Sequence, residues 1–504
     1  MLILKLFRFL ANTFLIICLF GCTTSNISVN ETDLPKTQNM LQPTITASVL
    51  PTATSTNQPT PTNELGLLQN DNLNSFISYQ IRINYDYSKQ SASVSQSIKY
   101  KNILENPILE VLLACDPLRI DNVFRITSTL VNGISKEVEI GEYWLKIPLE
   151  SPLEKDQEIT IELDYELLLP QIPAPAGDQK PVIFGYTTLQ SNFVDWYPMI
   201  VPRGEDGQWI SHKPWFYGEY LVYPLANYEI DLTISNAPVN LIVAASDLPI
   251  ESTNLSFVFN TSQTRNFVWS VSPSYQFSQA EVEGITVTSY YFPFHKNAGE
   301  QVLTDTINAI KLYSDLFTNY RGKNLTVVEA DFLDGMEFDG FYFLSKGFYN
   351  LFDGTPKGYL TTIAVHETAH QWWYSQIAND QALEPWLDEA LCTYSEYLYY
   401  EFTYPELKDW WWSYRVDFYK PEGKINASIY DYRGFLPYRD ATYLRGAKFL
   451  QQLRDQMGDE KFFSFLKSYS QINQNKISTS KSFWDVLSKS TNDPFTDLKS
   501  EYFN

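Results

Sequence analysis

Between Phe76 and about Pro170, apolar and polar side chains alternate with a period of two. Tyr79, Ile81, Ile83, Tyr85 and Tyr87 are separated by Gln80, Arg82, Asn84 and Asp86, and Ile159, Ile161, Leu163, Tyr165 and Leu167 repeat the pattern. Successive side chains of a strand point to opposite faces, so these runs predict half-buried antiparallel strands. Tyr228, Ile230, Leu232 and Ile234 continue the series, with turn residues such as Asn236, Ala237 and Pro238 after them. Together they predict one antiparallel β domain over 70–280. The aromatic clusters at 196–203 and 215–217 suit either a ligand surface or loop packing.

Near residue 285 the period changes. A last strand-like piece over 285–292 leads into 302–317, where Val302, Leu303, Thr306, Ile310 and Tyr313 fall on one helical face. A strand-like segment over 325–330 and helical patterns over 446–457 and 459–469 follow, so 281–504 predicts a mixed, mainly helical second domain. No internal repeat is present.

The N-terminal stretch changes this picture by adding an address. Lys5 and Arg8 precede an apolar run over 9–21, then Cys22. About 13 residues fall short of the roughly 20 that a spanning helix needs, and a basic start followed by a short apolar run is an export signal. Leu19-Phe20-Gly21-Cys22 resembles a bacterial lipoprotein signal, which implies that 1–21 is removed and that Cys22 carries a lipid. The expected location is extracytoplasmic, anchored to a bacterial membrane. Residues 22–69 are rich in Thr, Ser, Pro and Asn and bury too little apolar surface to offset chain entropy, so they predict a disordered tether.

Composition then narrows the partners. Hydrophobic residues make up 44% of the chain, enough for a large folded body, and Lys+Arg 37 against Asp+Glu 59 leaves a net charge of −22. Nucleic-acid binding needs clustered cations, so that partner class is excluded. Of the four cysteines, Cys18 and Cys22 belong to the signal, and Cys115 and Cys392 are expected to be small buried hydrophobes rather than a disulfide framework.

Only four histidines occur, and two of them, His366 and His370, flank Glu367 in Val-His-Glu-Thr-Ala-His. Spacing of four places both imidazoles on one helix face, where they can hold one zinc ion, and Glu367 between them is placed to take a proton from water beside the metal. Such a site needs a third ligand. Eighteen residues separate His370 from Glu389, which lies in Glu384-Pro-Trp-Leu-Asp-Glu389, where a second helical pattern opens at Pro385. Glu389, Asp388 and Glu384 are each chemically able to serve.

These ordered motifs resemble the aminopeptidase N-like gluzincin family of zinc metallopeptidases, which includes leukotriene hydrolase. In that family the third ligand lies in a Trp-Leu-Asn-Glu-Gly-like segment, and Trp386-Leu-Asp-Glu389-Ala stands in its place, which selects Glu389. The family's Gly-Ala-Met-Glu-Asn, whose Glu holds the substrate's free amine, corresponds to Asp334-Gly-Met-Glu337-Phe. Gly335, Met336 and Glu337 are thereby assigned to substrate binding, with Asp334 and Phe338 departing from the pattern. The family's Tyr-x-Lys-Gly corresponds to Tyr443-Leu-Arg-Gly446, which makes Tyr443 the oxyanion donor, with Tyr438 as the other candidate.

The resemblance implies a saddle-like N-terminal β domain followed by a thermolysin-like catalytic domain, one zinc ion per chain, and peptide substrates with a free N-terminus. The short stretch after Tyr443 leads us to expect a member without the long C-terminal helical domain. The expected activity is an aminopeptidase. The alternatives are a zinc endopeptidase or other zinc hydrolase on the same site, or an inactive membrane-tethered binding scaffold.

Overall fold

The computed structural model describes residues 76–173 and 182–503, which lie within one compact unit. The signal, Cys22 and the tether lie outside the described residues.

The alternating runs form the middle of an eight-stranded sheet. Its central strands are β1 (Ile77–Asp86), β2 (Ser91–Lys101), β3 (Glu158–Leu168) and β4 (Ala226–Ser235), in the order β4-β1-β2-β3. Tyr79, Ile81, Ile83 and Tyr85 are buried on one face of β1, and Gln80, Arg82 and Asn84 are exposed on the other. Two smaller four-stranded sheets contribute Val111, Ile147, Phe193 and Trp269 to the same core. One expectation is corrected here: β1 and β4 pair in parallel, with Ser78 opposite Asn227 and Asp86 opposite Ser235. Alternation reports which face is buried, not strand direction, and the long excursion between β1 and β4 supplies the crossover a parallel pair requires.

The second region is built on a five-stranded sheet of β5 (Gln276–Val282), β6 (Ile285–Tyr291), β7 (Asn324–Ala330), β8 (Gly335–Phe338) and β9 (Phe341–Ser345), in the order β5-β6-β7-β9-β8. β6, β7 and β9 run parallel, while β8 is an antiparallel edge strand. A boundary at 280 therefore cuts through β5, because β5 pairs with β6 along its whole length. The local alternation of β5 matches that of the β domain, so only its partner reveals where it belongs.

Five helices pack against this sheet and one another: α1 (Lys296–Leu316), α2 (Tyr359–Ala369), α3 (Trp386–Thr403), α4 (Gly446–Met457) and α5 (Asp459–Asn473). α2 is buried from Leu360 to Ala369 and α3 from Trp386 to Tyr400, on all sides rather than along one stripe. Helices buried all round form the centre of a large domain, and here polar side chains share that centre. Trp372 and Trp373, which follow α2, are core residues. Cys115 and Cys392 are both buried and unlinked. No helix among the described residues is long and apolar enough to cross a membrane.

Candidate metal centre and substrate cleft

His366 lies in the last turn of α2, and His370 caps its C-terminus in helical conformation. Glu389 enters from the first turn of α3. Its Oε2 lies 3.2 Å from His366 Nε2 and 3.6 Å from His370 Nε2, so the three ligand atoms converge on one point. The rival acids point elsewhere: Glu384 accepts from the Ser480 amide at 3.0 Å, and Asp388 accepts from the Glu389 amide at 2.8 Å.

The far nitrogens of both imidazoles are already committed. His366 Nδ1 donates to Glu396 at 2.8 Å, and His370 Nδ1 donates to the Trp373 carbonyl at 3.1 Å. Those bonds fix each tautomer and leave both Nε2 lone pairs facing Glu389. Glu396 is in turn gripped by Arg415 through two contacts of 2.9 Å and by Trp411 Nε1 at 3.1 Å. Burial opposes its charge, but the guanidinium holds its pKa below the usual carboxylate value. Glu396 and Arg415 were not identified from sequence. Glu396 lies two helical turns after Glu389 on the same buried face, and an acid in a run of buried aromatics was the available signal.

The centre fits a zinc ion on the chemistry of its donors: two imidazoles, which coordinate once deprotonated, and a carboxylate, within 4.8 Å of one another and with room for a fourth ligand from the cleft. Its electrostatics agree. Burial acts to lower the pKa of His366, yet Glu389 and Glu396 raise it to about 9, the mark of a cavity built to hold positive charge.

Glu367 projects into the same cleft. Its Oε2 is buried without a hydrogen-bond partner, and burial pushes its pKa well up. Gly335 on β8 makes the space for it, since a Cβ there would stand 2.2 Å from Glu367 Oε1. Glu337, two residues along the same edge strand, accepts from Gln381 Nε2 at 3.2 Å. Asp334, which departs from the family pattern, holds a left-handed φ of 79° at the entrance to β8 and accepts from the Gly335 amide at 3.0 Å.

A residue that sequence reasoning missed joins this group. Glu219 reaches in from the β domain, and its carboxylate lies within 4.8 Å of those of Glu337 and Glu389. No local pattern marks it, because its neighbours in space lie more than a hundred residues away in sequence. Three carboxylates at such range repel unless cations sit among them.

Tyr443 closes the cleft on the other side. It lies in a π-helical turn, Asp440–Arg445, just before α4, and its ring stacks 5.9 Å from that of His366. Arg415 lies in the other such turn, Trp412–Val416. Widened turns of this kind recur at functional sites because they re-aim a side chain. Gly446 lets α4 approach α3, as a Cβ there would stand 2.4 Å from that of Ala390. Tyr438 is buried behind Tyr443, its ring 5.6 Å away, while Tyr443 lines the cleft itself.

Residues 303–502 match the sequence pattern of the family described as Peptidase family M1 domain. The match covers the region that holds the proposed metal centre. The chain is 25% identical over 232 residues to Aminopeptidase M1-D of Oryza sativa subsp. japonica, covering 43% of this chain and 26% of that protein. Similarity to Endoplasmic reticulum aminopeptidase 1 of Homo sapiens is 24% over 273 residues, covering 51% of this chain and 29% of that protein. The chain thus spans under a third of the length of these curated relatives. In fold it resembles the M1 zinc metallopeptidase from Deinococcus radiodurans, with a TM-score of 0.59 at 16% identity over 84% of this chain and 93% of that one. A mutant of that metallopeptidase bound to a Tyr-Ser-Ala substrate gives a TM-score of 0.61 at 16% identity, over 85% of this chain and 94% of that one. The chain therefore shares the two-domain fold of these metallopeptidases, as the resemblance implied.

Proposed function

We propose that the protein is a zinc-dependent aminopeptidase that removes N-terminal residues from peptides. The observation that carries this reading is the convergence of His366, His370 and Glu389 beside a second group of carboxylates, Glu337 and Glu219, set to receive an ammonium group. A zinc ion held by His366, His370 and Glu389 supplies positive charge that polarises the scissile carbonyl and acidifies water.

The chain's own groups do the rest. Glu337 and Glu219 hold the substrate's α-ammonium, and Gln381 keeps the Glu337 carboxylate in place. The edge strand β8 offers main-chain partners to an extended peptide. Glu367, with one buried oxygen unpaired in the cleft, takes the proton of the attacking water and delivers it to the leaving amine. The Tyr443 hydroxyl donates to the oxygen on which negative charge develops.

The test is a set of peptide pairs, each with a free or an acetylated N-terminus, assayed with and without a zinc chelator. Cleavage of the free amines alone, lost with chelator, supports the reading. Equal cleavage of acetylated peptides indicates an endopeptidase, and a zinc-loaded protein that cleaves neither indicates a binding scaffold.

We further infer a lipid-anchored, extracytoplasmic location, which rests on the signal-like residues before Cys22. Mass spectrometry of the mature N-terminus in a bacterial host tests it: a diacylated Cys22 is expected, and an unmodified, cleaved or intact N-terminus contradicts it.

A further inference from the structure

The cleft has a second recess, and its lining points to a class of substrate. This inference rests on the aminopeptidase reading. Two cavities meet at Gly218, Glu219, Met336 and Glu337. One contains the metal-binding residues and Tyr443, and the other, about 260 Å³ in volume, extends away from them into the β domain. An amino acid's α-carbon carries its amine, its carbonyl and its side chain. With the amine at the Glu337–Glu219 junction and the carbonyl directed at the metal centre, the remaining recess is left for the first side chain.

The walls of that recess are flat and aromatic: Trp215, Phe216, Tyr220, Phe338 and Tyr374 line it. The aromatic cluster at 215–217, which suited either of two roles in the sequence, here faces a cavity. The charged residues among the lining are four acids, Asp116, Asp195, Glu219 and Glu337, against one base, Arg119. Arg119 is committed to Asp116 at 2.9 Å and lies over the Tyr220 ring. Glu337 and Glu219 stand at the amine junction. Asp195 lines the same recess from the β-domain side, half-buried, and accepts from the Tyr223 hydroxyl at 2.7 Å. It adopts a left-handed φ of 48° in a stretch that is otherwise buried, a backbone state that directs its side chain at some conformational cost.

We propose that this recess selects peptides whose first residue is basic, and that Asp195 is the residue that sets the preference. Aromatic faces cover the aliphatic stem of a lysine or arginine and attract its charge, and the Asp195 carboxylate in the wall pairs with the ammonium or guanidinium group. An acidic first residue meets a recess of its own sign.

The experiment measures kcat/KM for aminoacyl amides of Arg, Lys, Leu, Phe and Glu on the zinc-loaded wild type and on Asp195→Asn. Asparagine tolerates the left-handed backbone, so the substitution removes the charge without altering the fold, and thermal unfolding of the variant checks this. Wild type is expected to favour Arg and Lys over Leu by about tenfold or more, with Glu the poorest, and Asp195→Asn to lower the Arg-to-Leu ratio by about tenfold. Competition by L-argininamide against L-leucinamide on wild type alone gives the same ranking without a variant. Leu or Phe preferred over Arg and Lys, or an Arg-to-Leu ratio unchanged in a folded variant, overturns the proposal while leaving the aminopeptidase intact. Cleavage confined to acetylated peptides overturns the aminopeptidase reading, and this inference with it.

Discussion

Gly335→Ala is the smallest change that reaches the chemistry without touching a metal ligand. A Cβ at residue 335 would lie 2.2 Å from Glu367 Oε1, 2.8 Å from its Cδ and 2.9 Å from Ile363 Cγ2. Ordinary contact begins near 3.4 Å, so the Glu367 carboxylate must retreat by about 1 Å. Glu367 is buried, so a retreat from the new methyl group shifts the carboxylate from the position in which it serves the attacking water. A displacement of about 1 Å costs on the order of a hundredfold in rate, or about 3 kcal/mol of transition-state stabilisation. The assay is kcat and KM on a free-amine dipeptide amide, with zinc content measured on the same samples. We expect kcat to fall about a hundredfold with zinc retained, because the three atoms nearest the new methyl group belong to Glu367 and Ile363 and to no metal ligand. A kcat within twofold of wild type would refute the role given to Glu367, and loss of zinc would show that Gly335 supports the metal centre instead.

Further outcomes follow from the same geometry. Glu396→Gln leaves the Arg415 guanidinium buried without its counter-charge and weakens the hold on His366, so a loss of about 3 kcal/mol or more in stability and of about tenfold or more in zinc affinity is expected, read by chemical denaturation and a zinc competition titration. Glu329 lies in the core, where burial raises its carboxyl pKa from 4.5 to about 7 despite bonds from the Phe292 amide and His295. The folded form then keeps a proton that the unfolded chain has lost, so this group's contribution to stability falls as pH rises from the unfolded value through the folded one. Glu329→Gln should remove that slope, a difference of about 3 kcal/mol across the window in paired denaturation curves, and parallel curves for the two proteins contradict it. Chelation of the metal should lower the melting temperature and zinc should restore it, since a ligand that binds only the folded state stabilises it.

How much of this was legible in the sequence depended on how local each signal was. His366, Glu367 and His370 fall within two turns of one helix, where spacing alone brings the imidazoles together. Glu389 required the family pattern to separate it from Asp388 and Glu384, and the structure shows the difference: only Glu389 of the three brings an oxygen within 4.8 Å of both imidazoles. The alternation in β1 and β3 reported the buried face correctly, but it could not reveal the parallel pairing of β1 with β4 or the partner of β5, which depend on long-range connections. Glu219 and Asp195 were out of reach for the same reason. They meet the catalytic domain only through the fold, and nothing in their immediate sequence distinguishes them from surface acids. Arg415 lies in a π-helical turn, where a shift in helical phase defeats any count based on a period of 3.6, and Tyr443, in another, was reached through its motif and not through periodicity.

The measurement that bears most directly on the account is the hydrolysis of one free-amine tripeptide by wild type and Glu367→Gln, with the bound zinc of each quantified. The account predicts one zinc per chain in both proteins and a loss of at least about a thousandfold in kcat for the variant, since the metal ligands are intact and only the proton carrier is gone. Comparable turnover by the two proteins, or a wild type that hydrolyses the peptide with no zinc bound, would contradict it.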